Sequence, residues 1–399
     1  MCEKMKQSLT AQIEIESTDE RDCINICTVS PQKKLQIGRP KQPVDRKYYK
    51  PIPEAALYSV QLRLFQDLLA NSDKERNQLS NTIHMWDSIP RYSVAPKTQN
   101  RLRSNAGHLK TWKHAFRYGD KNMHVTIYPA RIELKDEFGM LIEKEYYPSA
   151  NEELVEEVLR KFATDKPFGY LEQHQTESRS GVVFTLYMLR EELARRGHTR
   201  SYYEIIVSLQ ILAKSSIEIR TENEYGEYAG ISAYLPVLVG VSRKTLETDP
   251  EAKWIVQFHY LVTHGIQQYD YRQFSYCDHM SLKSPLARWI HKWLINRWVA
   301  ADRQTSFKLF YSTVKRDSAM FNGNARVRAA INDIRSALNE LKPNKINVIL
   351  NYREKITRGP RNKIENVEFL LDATPAFIQM AKAANKRKKN TLGLADKSS

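Results

Sequence analysis

Residues 123–299 carry a regular succession of strand-like and helix-like hydrophobic patterns. Strands alternate apolar and polar positions, whereas helices repeat apolar positions every three or four residues. The predicted elements are strands at 123–128 and 131–134, a helix capped by Asn151, a strand at 182–186, helices at 187–196 and 202–214, and strands at 216–220, 228–239 and 254–265. Helix, turn, helix and a two-stranded hairpin is the winged helix-turn-helix plan.

The same order recurs nearer the C-terminus. Ser284 suits an N-cap and Pro285 the first helical position. The predicted elements are helices at 286–300, 312–320 and 325–341, a strand at 307–311, and wing strands at 345–350 and 367–371 that enclose a basic loop. The pattern predicts an α+β, mainly helical protein with two tandem winged helix-turn-helix units, at about 150–250 and 284–374.

Polar segments flank the two units. Residues 1–55 contain five prolines and predict a flexible arm. Within the arm, the GRPK segment at 38–41 resembles the core of a minor-groove AT-hook, with a plain basic linker as the alternative. The predicted domains are a disordered arm at 1–55, a partly ordered region at 56–122, winged-helix domains at 123–275 and 276–375, and a basic tail at 376–399 that includes KRKK.

The charge of the chain points to a polyanionic partner. Its 399 residues carry 62 Lys and Arg against 46 Asp and Glu, a formal net charge of +16, and nucleic acid is the usual ligand of such a protein. A hydrophobic content of 41% excludes wholesale disorder. We find neither an apolar run long enough for a membrane helix nor the apolar core of a signal peptide, so we expect a cytoplasmic protein.

Motifs for catalysis are missing from the sequence. There is no phosphate-binding G-x-x-x-x-G-K-[ST], no G-x-G-x-x-G and no G-x-S-x-G. His259 and His264 are five apart in a predicted strand, which puts them on opposite faces and makes a shared metal difficult. Cys23 and Cys27 lack a second ligand pair nearby. We therefore expect no enzyme, no cofactor and no metal.

The helical units supply the candidate DNA-binding residues. Arginine can bridge guanine O6 and N7, and asparagine can bridge adenine N6 and N7. In the second unit, the candidates for base recognition are Arg326, Arg328, Asn332 and Arg335, and the basic wing loop adds Arg353, Lys355, Arg358, Arg361 and Lys363. In the first unit, the candidates for phosphate contact are Arg195, Arg196, Arg200, Ser201 and Tyr203. The alternative for both helices is an ordinary solvated face.

A short apolar pentapeptide, QLRLF, lies upstream of the two units at 61–65. It resembles the peptide by which bacterial proteins dock onto the replicative sliding clamp. In that mode Leu64 and Phe65 fill an apolar pocket, Gln61 supplies an amide anchor, and Leu62 belongs to the motif. The alternative is a helix face that buries Leu62, Phe65 and Leu69.

Taken in order, these segments resemble the TrfA-type plasmid replication initiators. The resemblance rests on QLRLF, on the stretch from VTIYPARIELKDEFG to NEELVEEVLRKFA (125–163), on FTLYMLREELARRGHTRSYYEIIVSLQIL (184–212) and on SLKSPLARWIHKWL (281–294). It implies binding to repeated origin sequences (iterons) in double-stranded plasmid DNA, help in opening the origin, recruitment of the host replicative helicase, its loader and the sliding clamp, and a homodimer in equilibrium with monomer. The alternatives are a winged-helix transcriptional regulator and a nicking rolling-circle initiator.

Overall fold

The computed structural model describes residues 59–135, 138–173, 177–223, 226–241, 249, 252–321 and 326–395. Its helices are α1 (Val60–Gln66), α2 (Asp73–Arg76), α3 (His84–Ser88), α4 (Pro96–Leu102), α5 (Ala150–Ala163), α6 (Leu186–Arg195), α7 (Tyr202–Lys214), α8 (Tyr260–Gln267), α9 (Tyr276–Ser281), α10 (Pro285–Arg297), α11 (Tyr311–Ser318), α12 (Val327–Glu340) and α13 (Pro375–Ala395). The arm at 1–55, with its GRPK segment, lies outside the described residues.

The strands are β1 (Leu79–Ile83), β2 (Trp112–Tyr118), β3 (Lys121–Tyr128), β4 (Ala130–Lys135), β5 (Leu141–Tyr146), β6 (Gly169–Gln173), β7 (Ser178–Thr185), β8 (Ser216–Asn223), β9 (Gly226–Ala233), β10 (Val237–Val239), β11 (Lys253–Gln257), β12 (Tyr271–Ser275), β13 (Phe307–Phe310), β14 (Ile349–Arg358) and β15 (Ile364–Ala373). Among the described residues, 43% are helical and 30% lie in strands, which confirms the mixed helix-and-sheet class.

Two four-stranded antiparallel sheets form the first part of the molecule, in the orders β2-β3-β8-β9 and β10-β11-β7-β6. Strand β3 buries Met123, Val125 and Ile127 on one face, as its alternating pattern predicts. The predicted boundary after residue 122 falls within β3, which pairs with β2. Strand β1 also pairs with β12, from Leu79 opposite Ser275 to Ile83 opposite Tyr271. Within the described residues 59–122, both β1 and β2 are therefore paired with strands from later in the chain.

Helix α5 shows how local sequence sets an element. Ser149 is its N-cap and forms a capping box with Glu152, whose carboxylate accepts from the Ser149 backbone N–H at 2.8 Å. The predicted cap at Asn151 is two residues too late. Residues three and four apart then bury one apolar stripe against the core, consisting of Leu154, Val155, Val158, Leu159 and Phe162.

The predicted strand at 254–265 is wrong in its second half. Strand β11 ends at Gln257, and α8 begins at Tyr260. His259 is the N-cap of α8, where its Nδ1 accepts from the Leu261 N–H at 3.2 Å. The apolar residues from Phe258 onward fit a strand or a helix equally over so short a run. Among the described residues no group of three or more His, Cys, Asp or Glu could hold a metal ion.

Buried charges join the second unit to the first. Asp87, next to the end of α3, accepts from Arg160 of α5 at 2.6 Å and from Lys292 of α10 at 3.1 Å. Burial by itself raises the pKa of Asp87, but the charges of Arg160 and Lys292 hold it well below its usual value. The whole cluster consists of three acidic and three basic side chains, namely Asp87, Glu156, Glu157, Arg91, Arg160 and Lys292. Opposite charges balance here, so the junction is buried without an uncompensated ion.

The second unit contains a three-stranded sheet in the order β13-β15-β14, with α11 and α12 inserted between β13 and β14. The β14–β15 hairpin is longer than the predicted wing, because most of the supposed loop at 351–366 is paired strand. At the end of α11, the carbonyl oxygen of Ser318 accepts a hydrogen bond from Ser93 Oγ, in the first part of the molecule, at 2.6 Å. The two units therefore pack on one another.

The described part of the predicted basic tail folds as α13, and the prediction that the KRKK run is solvated is wrong for Arg387, which is buried. One face of this helix is buried and includes Phe377, Ile378, Ala381 and Arg387. Arg272 of β12 donates to Ala381 O at 3.1 Å and to Asn385 Oδ1 at 2.7 Å. The remaining basic residues of the KRKK run, Lys386, Lys388 and Lys389, are exposed. None of the described helices is both long enough and apolar enough to cross a membrane.

Candidate nucleic-acid interface

Helix α12 has one buried face and one polar, exposed face. Its apolar stripe packs on the core and lies beside α10, and it consists of Ala330, Ile331, Ile334, Ala337 and Leu338. The predicted start at residue 325 differs slightly, since Arg326 is the N-cap. The exposed positions are Arg326, Arg328, Ala329, Asn332, Asp333, Ser336 and Asn339. Arg328 and Asn332, one turn apart, therefore face solvent together, and Arg328 makes no hydrogen bond or ion pair with the described residues.

The β14–β15 hairpin stands next to this helix, with one face turned toward it. In β14, Tyr352, Glu354 and Ile356 lie opposite Leu371, Phe369 and Val367 of β15, three side chains that are fully buried. Because side chains alternate along a strand, Arg353 and Lys355 lie on the other face.

A bidentate ion pair connects the helix to the hairpin. Arg335 of α12 donates from Nε and Nη2 to the two carboxylate oxygens of Glu354, at 2.8 and 2.7 Å. These hydrogen bonds raise the pKa of Arg335. Its Nη1 donates to Oδ1 of Asn332 at 2.8 Å. Arg335, predicted to recognise bases, is thus engaged with protein groups on both sides.

The distal end of the hairpin carries the remaining basic residues. Arg361 and Asn362 adopt left-handed backbone angles, with φ of 57° and 58°, and close the tip between the strands. Arg358 donates to Asn362 O at 3.2 Å, and the side chains of Arg358, Arg361 and Lys363 are all exposed. A hairpin tip of this kind can place cationic side chains along phosphates or in the minor groove.

Two of the five predicted wing residues do not join this surface. Arg353 lies on the face of the sheet away from α12, where it donates to Ser306 Oγ at 3.0 Å and is 3.5 Å from Asp372. Lys355, on the same face, lies opposite Glu368 in the strand register. The prediction that all five basic residues form one loop is therefore wrong, because strand alternation divides them between two faces.

In the first unit the second helix, α7, lacks the free face that a DNA-reading helix needs. Helix α7 is covered on one side by the main core and on the other by the β4–β5 hairpin, where Ile211 packs with Ala130 and Ile132. Within α7 only Glu204 and Lys214 are exposed. A groove-binding helix needs a free polar face, so α7 is not placed to enter a groove, and phosphate contact by the residues at its start stays a prediction.

Several of the residues predicted to contact phosphate in the first unit make contacts within the protein. Arg196 donates to Glu192 at 2.8 Å and stacks over Tyr276, and Arg200 donates to Asn151 Oδ1 at 2.7 Å. Ser201 caps α7 in a capping box with Glu204. Tyr203 is half-buried, and burial raises its pKa. Arg195 and Ser201 are exposed, and Arg195 pairs with Glu192 at 3.0 Å.

The QLRLF pentapeptide forms most of α1 rather than an accessible peptide. Leu62, Leu64 and Phe65 are buried, at 1%, 5% and 2% exposure. The Phe65 ring packs edge-on against Tyr271 at 5.1 Å, and Gln61 Oε1 accepts from Gln173 at 3.1 Å. The structure contradicts the premise that these side chains are available to a clamp, because their apolar surface is already used by the core.

One residue of the interface is missing from the sequence-based set. Glu354 is absent from that set because it stands among basic residues in a segment that the sequence predicts to be a loop. The alternation of Tyr352, Glu354 and Ile356 was the signal for a strand with one face toward α12.

Comparisons with known proteins give distant structural similarities. The chain is similar to a selenomethionine derivative of domains 2 and 3 of RctB, with 10% identity, a TM-score of 0.44 and coverage of 72% of this chain and 97% of that one. A second structure of RctB domains 2–3 gives 10% identity, a TM-score of 0.40, and coverage of 73% and 100%. A Pi initiator protein in complex with iteron DNA gives 9% identity, a TM-score of 0.31, and coverage of 75% and 98%.

No protein-family model and no curated protein matches the chain. Because these TM-scores lie below 0.5, the similarities carry no argument about this chain.

Proposed function

We propose that the protein is a DNA replication initiator that binds repeated sequences of an origin in double-stranded DNA. The observation that carries this proposal is the exposed polar face of α12, with Arg328 and Asn332 one turn apart, beside a hairpin with a basic tip. In this proposal α11, α12 and the β13-β15-β14 sheet act as a winged helix, with α12 in the major groove. Arginine and asparagine are the residue types that recognise guanine and adenine edges there.

The dimensions and charge of the surface suit this role. A helix of 14 residues is about 21 Å long and fits the major groove with several side chains in contact. The basic tip of the hairpin supplies Arg358, Arg361 and Lys363 for phosphate contacts, and the net charge of +16 favours association with any DNA.

The wider role follows from the resemblance to TrfA-type initiators, and it is part of the proposal. The protein would act without catalysis of its own in the bacterial cytoplasm. It would exchange between monomer and homodimer, help to open the origin, and recruit the host helicase and its loader. Contact of the sliding clamp with the QLRLF segment requires α1 to leave the core, because Leu64 and Phe65 are buried where they stand.

A binding experiment tests the DNA interface. The preferred site is first selected from random duplexes with wild-type protein. Arg328→Ala or Asn332→Ala should then cost about 1–3 kcal/mol on that site and leave binding to random DNA almost unchanged. Lys355→Ala, on the other face of the hairpin, is the control and should change neither. Equal losses on both DNAs would show that the two side chains hold only phosphate.

A replication experiment separates an initiator from a transcriptional regulator with the same interface. A plasmid that carries the gene and its flanking DNA is introduced into bacteria that cannot replicate the vector otherwise. An initiator maintains the plasmid, and Asn332→Ala abolishes that maintenance. Selected binding sites with no replication would favour the regulator.

A further inference from the structure

Asn332 is held by a hydrogen-bonded chain that starts on the hairpin. Glu354 accepts two hydrogen bonds from Arg335, which in turn donates to Asn332 Oδ1 at 2.8 Å. A guanidinium has donors only, so this bond fixes the orientation of the asparagine amide, with its oxygen toward Arg335. The end of the amide left toward solvent is Nδ2, which carries two N–H donors.

We propose that Glu354 and Arg335 are positioning residues that determine which base edge Asn332 recognises. The proposal rests on the proposed function of α12 as the DNA-reading helix. An unrestrained asparagine recognises adenine, because Oδ1 accepts from N6 while Nδ2 donates to N7. Arg335 takes one lone pair of Oδ1 and turns the oxygen away from solvent, so the end that Asn332 presents to DNA is Nδ2, which offers donors. Guanine presents two acceptors, O6 and N7, in the major groove, so Asn332 recognises guanine.

The hydrogen-bonded chain from Glu354 to Asn332 also explains why an acidic residue lies in a basic surface. Glu354 would repel phosphate if it stood alone, but its two oxygens are taken up by Arg335. Arg335 in turn has its Nε, Nη1 and Nη2 directed at protein groups, so it holds Asn332 instead of contacting a base. The pair therefore contributes to base preference and not to general affinity.

Base preference, measured pair by pair, tests this inference. The site selected by wild-type protein is varied one base pair at a time, and relative affinities are measured by competition. Wild-type protein should require guanine at one position that becomes indifferent in Asn332→Ala. In Arg335→Met, Oδ1 is released, and the preference at that position should shift from guanine toward adenine by about tenfold. Arg353→Met, which alters a guanidinium on the opposite face of the hairpin, is the matched control and should preserve the guanine preference.

A double variant identifies the residue that touches the base. Arg335→Met in the Asn332→Ala background should produce no further change in preference. A change there would mean that Arg335 itself contacts the base, which overturns the inference. An unchanged guanine preference in Arg335→Met, or a wild-type preference for adenine at the Asn332 position, overturns it equally.

These failures are distinct from failure of the proposed function, in which wild-type protein selects no sequence at all. If a thermal melt shows Arg335→Met to be unfolded, Glu354→Gln replaces it. That substitution keeps the side-chain size and removes one acceptor and the charge, so Arg335 no longer holds Asn332 as firmly. A partial shift toward adenine then supports the inference, and no shift overturns it.

Discussion

Arg387 donates a hydrogen bond from Nη2 to the main-chain carbonyl oxygen of Phe65 at 3.1 Å, across 322 residues of sequence. The same guanidinium donates to Leu64 O at 3.0 Å, to Asp67 O at 2.7 Å and to Asn81 Oδ1 at 2.6 Å. The last carbonyls of a helix lack partners within it, so Arg387 of α13 satisfies the C-terminal end of α1. The last described helix thus fixes the position of the first.

This contact predicts a large effect of one basic residue in the KRKK run. Arg387→Met should lower the free energy of unfolding by about 1–3 kcal/mol or more, because it leaves several buried carbonyls without a donor. Burial lowers the pKa of Arg387 to about 10, so it remains protonated at neutral pH. Urea unfolding measures the change. Lys386→Met and Lys388→Met are matched controls at exposed positions and should stay within about 0.5 kcal/mol of wild type. Equal effects at all three positions would contradict the structural role of Arg387.

The burial of the QLRLF segment gives a second prediction. Leu64→Ala and Phe65→Ala should each lower the free energy of unfolding by about 2–5 kcal/mol, as large-to-small changes in a core do. Arg63→Ala, between the two leucines and exposed, should have almost no effect. A thermal melt and a pull-down with purified sliding clamp are run on each variant. Clamp binding that is lost while the melting temperature stays constant would contradict the core position and favour docking.

Sequence patterns predicted the bounds and the buried stripes of both α7 and α12, but they could not show that α7 is covered on a second side. Both helices show an apolar stripe and a polar N-terminus, but a stripe reports only on the face that meets the core. The second cover of α7 is the β4–β5 hairpin, which packs Ile132 against Ile211 from a distant part of the chain. Periodicity within one helix cannot detect such a partner, so the polar residues near its start were assigned to DNA.

The basic segments show the same limit of sequence-based prediction, which cannot detect tertiary packing partners. A run such as KRKK is normally a solvated face. Arg387 is buried because the carbonyls of α1 lie beside it, and that arrangement depends on tertiary packing alone. In the hairpin, by contrast, the alternation of Tyr352, Glu354 and Ile356 was present in the sequence, and the neighbouring Gly359 and Pro360 favoured a loop interpretation instead.

Three buried histidines predict a loss of stability in acid. Burial lowers the pKa of His259 and of His291 to about 3, and it lowers that of His279 well below its usual value. The unfolded chain takes up these protons near pH 6.5, but the folded chain does not. The stability that neutral His259 and His291 contribute above pH 6.5 is therefore lost as the pH falls from 6.5 toward 3, by about 1.4 kcal/mol per pH unit for each of the two.

One substitution isolates the share of a single histidine. His291→Leu should reduce the difference in unfolding free energy between pH 7 and pH 5 by about 2 kcal/mol, even if both of its values are lower than those of wild type. Urea unfolding at the two pH values measures the difference. His124→Leu, at an exposed position, is the matched control. An unchanged difference in His291→Leu would mean that this imidazole is protonated in the folded state at pH 5.

The basic residues on the two faces of the β14–β15 hairpin should differ in their effect on the salt dependence of DNA binding. Each phosphate contact that is removed should flatten the slope of log K against log salt concentration by about 0.9. Arg358, Arg361 and Lys363 lie at the distal end of the hairpin, beyond α12, so the triple alanine variant should flatten the slope by up to about 2.7.

Arg353 and Lys355 carry the same charges on the reverse face, and Arg353 is engaged with Ser306 and Asp372. Their double alanine variant should keep the wild-type slope. Binding is measured on random duplex DNA at several salt concentrations, so that base recognition by α12 does not enter. If both variants flatten the slope in proportion to the number of charges removed, the two faces of the hairpin contribute alike and the placement of DNA on the α12 side is wrong.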